Sequence, residues 1–192
     1  MNPFVIAAIG AVATAACAIV IVGSLQQDSN QTDVVLVQPG VYQEQGFCTN
    51  APVVGRQLKN ANVRALDDQV VETASLFTTG KPVLINYWFS NCQPCKREMP
   101  ALQAAFEKFG DRVSFVGINT QDSPDVARSF VKDIGVTYEI LRDPNGDSIV
   151  ANGVSIFPTT FFVNAAGTII KQVSGELTAD DIEAAFTEMG VS

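Results

Sequence analysis

The 192-residue sequence contains no histidine, and this absence excludes several kinds of active site. Without histidine, neither a Ser–His nor a Cys–His nucleophile pair can form, and His-rich zinc or copper sites are excluded as well. The haem-attachment sequence C-x-x-C-H is missing for the same reason. Proton transfer must therefore depend on carboxylates, lysine, tyrosine, cysteine or water, and catalysis on the cysteines or on an acid.

Basic residues are also scarce, since 12 Lys and Arg stand against 20 Asp and Glu, which gives a net charge of -8. Nucleic-acid binding needs clustered Lys and Arg to neutralise phosphates. Arg56, Lys59 and Arg64 form the nearest group of this kind, and a solvated loop accounts for them. We therefore expect no nucleic-acid partner.

The N-terminal part of the chain lacks charge, and its first charged side chain is Asp28. Before it, residues 3–23 are mostly apolar, and about twenty such residues make a helix long enough to cross the hydrocarbon core of a membrane. We interpret residues 1–23 as an uncleaved transmembrane signal-anchor. Two alternatives stay open, a cleaved signal peptide and a lipoprotein signal acylated at Cys17. Both normally carry a positive N-terminal region, which this sequence lacks.

Residues 24–45 are rich in Gln, Asp, Asn and Gly and have little amphipathic pattern, which predicts a flexible tether. No Lys or Arg near the apolar segment holds the following chain in the cytoplasm, so export of that chain is permitted. We therefore expect a single-pass protein of the cell membrane whose domain, residues 46–192, lies on the extracytoplasmic side.

Buried strands alternate with amphipathic helices in this domain. The apolar runs 82–89 and 113–119 each predict a strand that is buried on both faces. The helix expected after the first strand carries an apolar stripe, which consists of Met99, Leu102, Phe106 and Phe109. The helix expected after the second strand is capped by Ser123 and turns three apolar side chains inward, Val126, Phe130 and Ile134.

The rest of the domain predicts a different order of elements. A short strand at 138–141 precedes a hairpin of strands 159–163 and 168–173, and Thr178 caps a last helix. Residues 62–79 predict an additional hairpin and a short helix. A parallel strand–helix–strand half followed by a hairpin implies an α/β fold, in which helices flank a mixed sheet on both faces.

Cys92-Gln93-Pro94-Cys95 lies where the first buried strand gives way to a helix, and its features suit disulfide exchange. The thiolate is the nucleophile in this chemistry, and the free N–H groups and dipole of a helix N-terminus favour the thiolate of Cys92. Cys95 lies one turn inside the helix, where it can attack the mixed disulfide that Cys92 forms. We predict that the two form a redox-active disulfide, in which Cys92 attacks the substrate and Cys95 resolves the mixed disulfide.

Other roles of the cysteine pair stay open at this point. The pair could bind Cu(I) through two thiolates, as in a metallochaperone, or form an inert disulfide in an adaptor domain. A structural zinc site is excluded, because the domain sequence offers neither a second cysteine pair nor a histidine. No peroxide-site pattern precedes Cys92, which disfavours a peroxidase. We predict a function that needs no dissociable cofactor and no metal.

Two stretches of the sequence, Gly80-Lys-Pro-Val-Leu-Ile-Asn-Tyr-Trp-Phe89 and Cys92-Gln-Pro-Cys-Lys-Arg-Glu-Met-Pro100, form a specific signature. They resemble the thioredoxins, and more closely the exported TlpA/ResA-like branch that includes the cytochrome c maturation thioredoxins. The resemblance runs from Gly80 to the C-terminus, with a weaker match from Ala51. Within it, Trp88 matches the tryptophan that precedes the motif, and Pro100 matches the proline that kinks the active-site helix.

The resemblance implies a thioredoxin-like domain that exchanges disulfides with protein substrates. Phe157-Pro158-Thr159 matches the family's cis-proline loop, and free backbone groups beside the proline can pair with an extended substrate strand. Phe157, Pro158 and Trp88 are then expected to bind the substrate. Glu98 matches a carboxylate close to the cysteines and is expected to accept the proton of Cys95. The alternatives are a trans proline at position 158, a solvated side chain at position 98, and a Trp88 that belongs only to the core.

The resemblance further implies reduction of disulfides outside the membrane, in substrates such as apocytochrome c, with electrons from a membrane dithiol carrier. Asn86 stands where cytoplasmic thioredoxins carry a buried aspartate, and this departure removes the usual proton acceptor. Asn91 replaces the tryptophan that is often found directly before the first cysteine. Cys48 matches no motif, and we expect no catalytic role for it.

Overall fold

The computed structural model describes residues 49–191. Its central strand is β3 (Val83–Trp88), in which all six residues are buried. A strand in this position has neighbours on both edges and cover on both faces, which explains its continuous apolar sequence. β3 pairs in parallel with β4 (Ser114–Asn119) and antiparallel with β6 (Thr159–Val163).

The other strands of the described residues extend the sheet on both sides. They are β1 (Asn62–Ala65), β2 (Val70–Glu72), β5 (Glu139–Arg142) and β7 (Ile169–Ser174). The order across the sheet is β2-β1-β5-β4-β3-β6-β7. β4 and β5 are parallel, whereas β6–β7 and β1–β2 are antiparallel hairpins, and β1 also runs antiparallel to β5. The mixed sheet predicted from the sequence is confirmed, together with the additional N-terminal hairpin.

In the described residues, three α-helices and one 3-10 helix connect strands, and a fourth α-helix follows β7. They are the 3-10 helix Thr73–Phe77 and the α-helices α1 (Gln93–Phe109), α2 (Pro124–Asp133), α3 (Asp147–Ala151) and α4 (Ala179–Glu188). The side chains of Ser123 and Thr178 cap α2 and α4, as predicted. α3 is missing from the sequence prediction. It begins directly after Gly146, whose φ of 77° is a conformation that glycine adopts without strain.

Side chains of β3 alternate between two buried apolar clusters, one for each face of the sheet. Leu84 and Trp88 belong to the first cluster, to which α1, α2 and α4 contribute. Ile85 and Tyr87 belong to the second, which includes side chains of the 3-10 helix and of α3. Helices therefore cover both faces, and the helix that carries the cysteines lies against the face of Trp88.

The buried face of α2 differs from the predicted one. Val126 is 48% exposed, whereas Ala127 and Val131 are buried. Phe130 and Ile134 pack against the core and are partly buried. The buried stripe runs through the i, i+4 pair Ala127 and Val131, which leaves Val126 on the solvent side. The prediction that Val126 faces inward is therefore wrong.

Within residues 49–191, no helix combines the length and the apolar character that a membrane crossing requires. The predicted signal-anchor (residues 1–23), the predicted tether (residues 24–45), Cys17 and Cys48 lie outside the described residues. What the sequence indicates about them stays a prediction.

Candidate active site

Cys92 and Cys95 form a disulfide at the start of α1, and their Cα atoms are 5.2 Å apart. Cys92 is the N-cap residue of this helix, four residues after the end of β3. The Cys95 backbone N–H donates a hydrogen bond of 3.2 Å to Cys92 Sγ. A free donor of the first helical turn is thus directed at the sulfur, where it can stabilise a thiolate in the reduced protein.

Exposure distinguishes the two cysteines. Cys92 is 5% exposed, whereas Cys95 has no exposed surface. Of the two residues, only Cys92 thus keeps some surface that a substrate could reach. This difference suits the order of events expected from the sequence, in which Cys92 attacks and Cys95 resolves.

Asp122, in the loop after β4, holds the segment that precedes Cys92. One carboxylate oxygen accepts from the Ser90 backbone N–H and the other from the Ser90 hydroxyl, both at 2.7 Å. Asn119, the last residue of β4, donates a further hydrogen bond of 2.6 Å to this carboxylate. The ends of two neighbouring parallel strands are thereby joined beside the disulfide. The sequence prediction missed Asp122, because a single loop aspartate gives no signal of its distant partner.

Glu98, the predicted proton acceptor, is buried and only 1% exposed. It lies three residues after Cys95 on α1, and residues at this spacing are neighbours on one helix face. Glu98 Oε1 accepts from Asn86 Nδ2 at 2.7 Å, and Oε2 accepts from the Leu177 backbone N–H at 3.0 Å. The alternative of a solvated side chain at position 98 is therefore wrong.

Burial and hydrogen bonding shift the pKa of Glu98 in opposite directions. Loss of hydration by burial is the largest of them and raises the pKa of Glu98 from 4.5 to about 7. The hydrogen bonds from Leu177 and Asn86 act in the opposite direction, because they favour the carboxylate, and the charge of Glu176 adds a smaller increase. A carboxyl group that titrates near neutral pH can both take up and release a proton there.

Asn86 connects three elements of the fold through one side chain. Its Nδ2 donates to Glu98 on α1 and, at 2.9 Å, to Thr160 Oγ1 on β6. Its Oδ1 has no hydrogen-bond partner among the described residues. An aspartate at this place would itself accept protons, whereas Asn86 orients an acceptor that lies on the helix. The sequence showed that Asn86 replaces the buried aspartate of cytoplasmic thioredoxins, but it did not show the contact between Asn86 and Glu98.

The Phe157–Pro158 peptide bond is cis, as the resemblance implies, and the alternative of a trans bond is wrong. Pro158 is buried directly before β6, whereas Phe157 is partly exposed. The Phe157 ring meets the Phe89 ring edge to face, with centroids 5.5 Å apart. The Phe89 carbonyl in turn accepts a hydrogen bond of 3.2 Å from the Cys92 backbone N–H. The loop before β6 therefore lies beside the loop that presents Cys92.

Trp88 lies inside the core, and its side chain is 0% exposed. Its ring stacks on the ring of Phe130, with centroids 5.3 Å apart. A side chain without exposed surface cannot contact a protein substrate, so the prediction that Trp88 binds the substrate is wrong. Trp88 belongs to the apolar cluster that also contains Cys92 and Cys95, and it supports the site from within the core.

Named proteins are similar in sequence to most of this domain. Residues 54–172 match the AhpC/TSA family. The thiol-disulfide oxidoreductase ResA of Bacillus thuringiensis subsp. konkukian (strain 97-27) is 27% identical over 131 residues, which are 68% of this chain and 75% of that protein. The thiol:disulfide interchange protein HelX of Rhodobacter capsulatus is 32% identical over 131 residues, which are 68% of this chain and 73% of that protein.

Solved structures share the fold. A putative thiol:disulfide interchange protein DsbE from Chlorobium tepidum aligns with a TM-score of 0.65 and 22% identity, over 72% of this chain and 99% of that chain. A DsbF homologue from Corynebacterium diphtheriae aligns with a TM-score of 0.62 and 29% identity, over 69% of this chain and 85% of that chain. The mixed sheet and its flanking helices are thus a thioredoxin-like fold.

Proposed function

Since the chain belongs to the AhpC/TSA family and is a thiol-disulfide oxidoreductase of the ResA and DsbE type, we propose that it reduces disulfide bonds in exported protein substrates. The observation that carries the proposal is the Cys92–Cys95 disulfide at a helix N-terminus, followed one turn later by the buried carboxyl group of Glu98.

The reaction begins with the reduced protein, in which Cys92 is a thiolate. Cys92 Sγ attacks one sulfur of the substrate disulfide and forms a mixed disulfide with it. The substrate S–S bond breaks, and the other substrate sulfur leaves as a thiolate that takes up a proton. The Cys95 backbone N–H, which faces Cys92 Sγ, favours the attacking anion.

Cys95 completes the reaction. Its thiol proton passes to the Glu98 carboxylate, and the resulting thiolate attacks Cys92 Sγ in the mixed disulfide. The second substrate sulfur leaves as a thiolate, which takes a proton from Glu98 or from water. The Cys92–Cys95 disulfide is then formed, and two electrons have passed from the protein to the substrate. A membrane dithiol carrier supplies the two electrons that reduce the pair again.

The substrate lies along residues 155–158, which we call the substrate loop. Phe157 is partly exposed there and lies against Phe89, next to the segment that presents Cys92. Backbone groups of a loop at the start of a strand can pair with an extended peptide. Phe157 and Pro158 therefore belong to the substrate-binding surface in this proposal, and Trp88 does not.

The proposed setting is the outer side of the cell membrane, with residues 1–23 as the anchor and residues 24–45 as the tether. Support comes from the uncharged apolar sequence before Asp28. Apocytochrome c is the proposed substrate, because the sequence signature resembles the cytochrome c maturation branch. A fusion of residues 1–45 to a reporter that is active only after export tests the setting. We expect a membrane-bound, active reporter, and an inactive cytoplasmic reporter would contradict the setting.

The reduction potential of the full chain in detergent tests the direction of electron flow. Thiol trapping across a series of dithiol buffers measures it. A potential near or below that of thioredoxin, about −270 mV, supports a reductase, whereas one near that of a strong oxidant, about −120 mV, makes the protein a disulfide donor. Full insulin-reductase activity of Cys92→Ser would contradict the mechanism. Tight Cu(I) binding by a reduced pair that exchanges no disulfides would instead favour the metallochaperone.

A further inference from the structure

Asn50 makes four side-chain hydrogen bonds, and they enclose the substrate loop from both of its ends. Oδ1 accepts from the backbone N–H of Ser155 at 2.6 Å and from that of Ile156 at 2.9 Å. Nδ2 donates to Thr159 Oγ1 at 2.6 Å and to Ser174 Oγ at 2.7 Å. One amide is thus bonded to the first half of the loop, to the first residue of β6 and to the last residue of β7.

These contacts use the full hydrogen-bonding capacity of an amide, which has two donor hydrogens and an oxygen with two lone pairs. Thr159 Oγ1 also donates to the Ile156 carbonyl at 2.8 Å, so the two ends of the loop are connected to each other as well. A carboxylate of the same size could accept from Ser155 and Ile156 but could donate nothing to Thr159. The position therefore suits an asparagine in particular.

The main chain around Asn50 fixes the position of this amide. The Ala51 N–H donates to the Gly153 carbonyl at 2.8 Å. A Cβ on Gly153 would clash with the Ala51 Cβ, so glycine permits the close approach of the two chain segments. The chain that follows Asn50 therefore lies directly against the residues that lead into the substrate loop.

We propose that Asn50 is a positioning residue for protein substrates, which holds the substrate loop in the conformation that receives the substrate backbone. This inference rests on the proposed function, in which that loop binds the substrate. The four hydrogen bonds of Asn50 go to the loop, to β6 and to β7, and none goes to Cys92 or Cys95. A loop that is ordered before binding loses less conformational entropy when the substrate arrives, which raises affinity.

Protein substrates and small dithiols distinguish this role from a general structural one. A small dithiol such as dithiothreitol needs access to Cys92 only, whereas a protein disulfide also needs the substrate loop. Loss of the Asn50 amide should therefore weaken the reaction with a protein substrate. It should leave the rate with dithiothreitol and the reduction potential of the cysteine pair unchanged.

The test compares full-length wild type, Asn50→Ala and Asn60→Ala in insulin reduction. Asn60 is a matched control, because its amide bonds to the Glu72 carboxylate and to the Ala74 backbone N–H and makes no bond to the substrate loop. We expect Asn50→Ala to raise the KM for insulin about tenfold at unchanged kcat, since several hydrogen bonds of modest strength are lost. Asn60→Ala should leave KM unchanged.

Asn50→Asp provides a conservative variant, because it retains the two acceptor bonds to Ser155 and Ile156. It should restore part of the affinity that Asn50→Ala loses. If Asn50→Ala does not fold, as urea unfolding would show, the comparison of Asn50→Asp with wild type and Asn60→Ala carries the test. Asn50→Asp should then raise KM by a smaller factor.

Three results would overturn the inference. The first is a wild-type KM for insulin in the Asn50 variants, and the second is an equal rise of this KM in Asn60→Ala. The third is a dithiothreitol rate that falls in Asn50→Ala by the same factor as KM rises, or a shifted reduction potential of the cysteine pair in that variant. A wild-type protein that reduces no insulin at all would instead overturn the proposed function.

Discussion

The Asn86 amide on the central strand donates a hydrogen bond of 2.7 Å to Glu98 Oε1 on the helix that carries both cysteines. Both side chains are buried, with 0% and 1% of their surface exposed. The bond favours the charged form of Glu98, whereas burial favours the neutral form. Because burial dominates, the pKa of Glu98 lies at about 7. Activity and stability should therefore both depend on pH through this one carboxyl group.

Glu98→Gln should slow the step in which Cys95 resolves the mixed disulfide, because glutamine cannot accept a proton. Positioned acid–base groups contribute on the order of a hundredfold, and we expect a loss of that size. In the wild type, the rate of this step should rise as pH passes through about 7 and Glu98 loses its proton. Stopped-flow measurement of the mixed disulfide across pH tests this. The same rise in the variant would assign the proton to another acceptor.

The stability of the oxidised protein should decrease as pH rises. The pKa of Glu98 is raised from its ordinary value of 4.5 to about 7 on folding, so the folded state holds the proton more tightly. The resulting stabilisation is complete below about pH 4.5 and is lost as pH rises through about 7. It amounts to about 3 kcal/mol. Urea unfolding of wild type and Glu98→Gln across this range measures it, and a difference that does not vary with pH would contradict the expectation.

Asn86→Asp should couple two carboxyl groups, because the new one would lie within hydrogen-bond distance of Glu98. Two carboxylates this close cannot both be charged without a large penalty, so they share a proton. We expect a loss of stability on the order of 2 kcal/mol at neutral pH and a smaller loss in acid. Thr160→Val is the control, since it removes the other partner of the Asn86 amide without adding charge. Urea unfolding at both pH values should give the two variants different pH dependence.

Gly117→Ala should disturb the packing beneath the site. An added Cβ would lie 2.8 Å from Ile140 Cδ1 and 2.9 Å from Trp88 Nε1. Overpacking of this kind costs about 1–3 kcal/mol. Trp88 is the single tryptophan of the sequence, so its fluorescence reports directly on its stacking with Phe130. A variant with the emission spectrum and the urea midpoint of the wild type would show that the core adapts.

Elements of the fold were predictable where the signal is local. The strand predicted at 159–163 is β6, and the predicted caps Ser123 and Thr178 are present, because hairpins and helix caps involve residues close in sequence. α3 has only 5 residues, too few to display a helical period. The apolar spacing of α2 gave the wrong buried face at Val126, because the small side chain of Ala127 also belongs to the core.

The same distinction applies to the site. Cys92, Cys95 and Glu98 lie on one helix, so their spacing alone brings them together. Asn50 and Asp122 act on partners 105 and 32 residues away, respectively. A single sequence does not show which distant segments meet, and both residues became visible only in the folded chain.

Asp122→Ala should have an effect different from that of Asn50→Ala, because Asp122 holds the segment that presents Cys92 itself. The variant loses both hydrogen bonds to Ser90. We expect kcat/KM to fall about tenfold, since displacement of a reacting group is costly. The reactions with insulin and with dithiothreitol should be affected alike, because both use Cys92.

Asp125→Ala is the matched control for Asp122→Ala. It removes the same charge three residues further along the chain, from a side chain that is 94% exposed and pairs with Arg128. We expect wild-type rates with both reagents, because an exposed ion pair contributes little. If Asp122→Ala lowered only the insulin rate, Asp122 would act on substrate docking. If both aspartate variants lowered both rates equally, the negative charge near the cysteines would be responsible, and the hydrogen bonds to Ser90 would not.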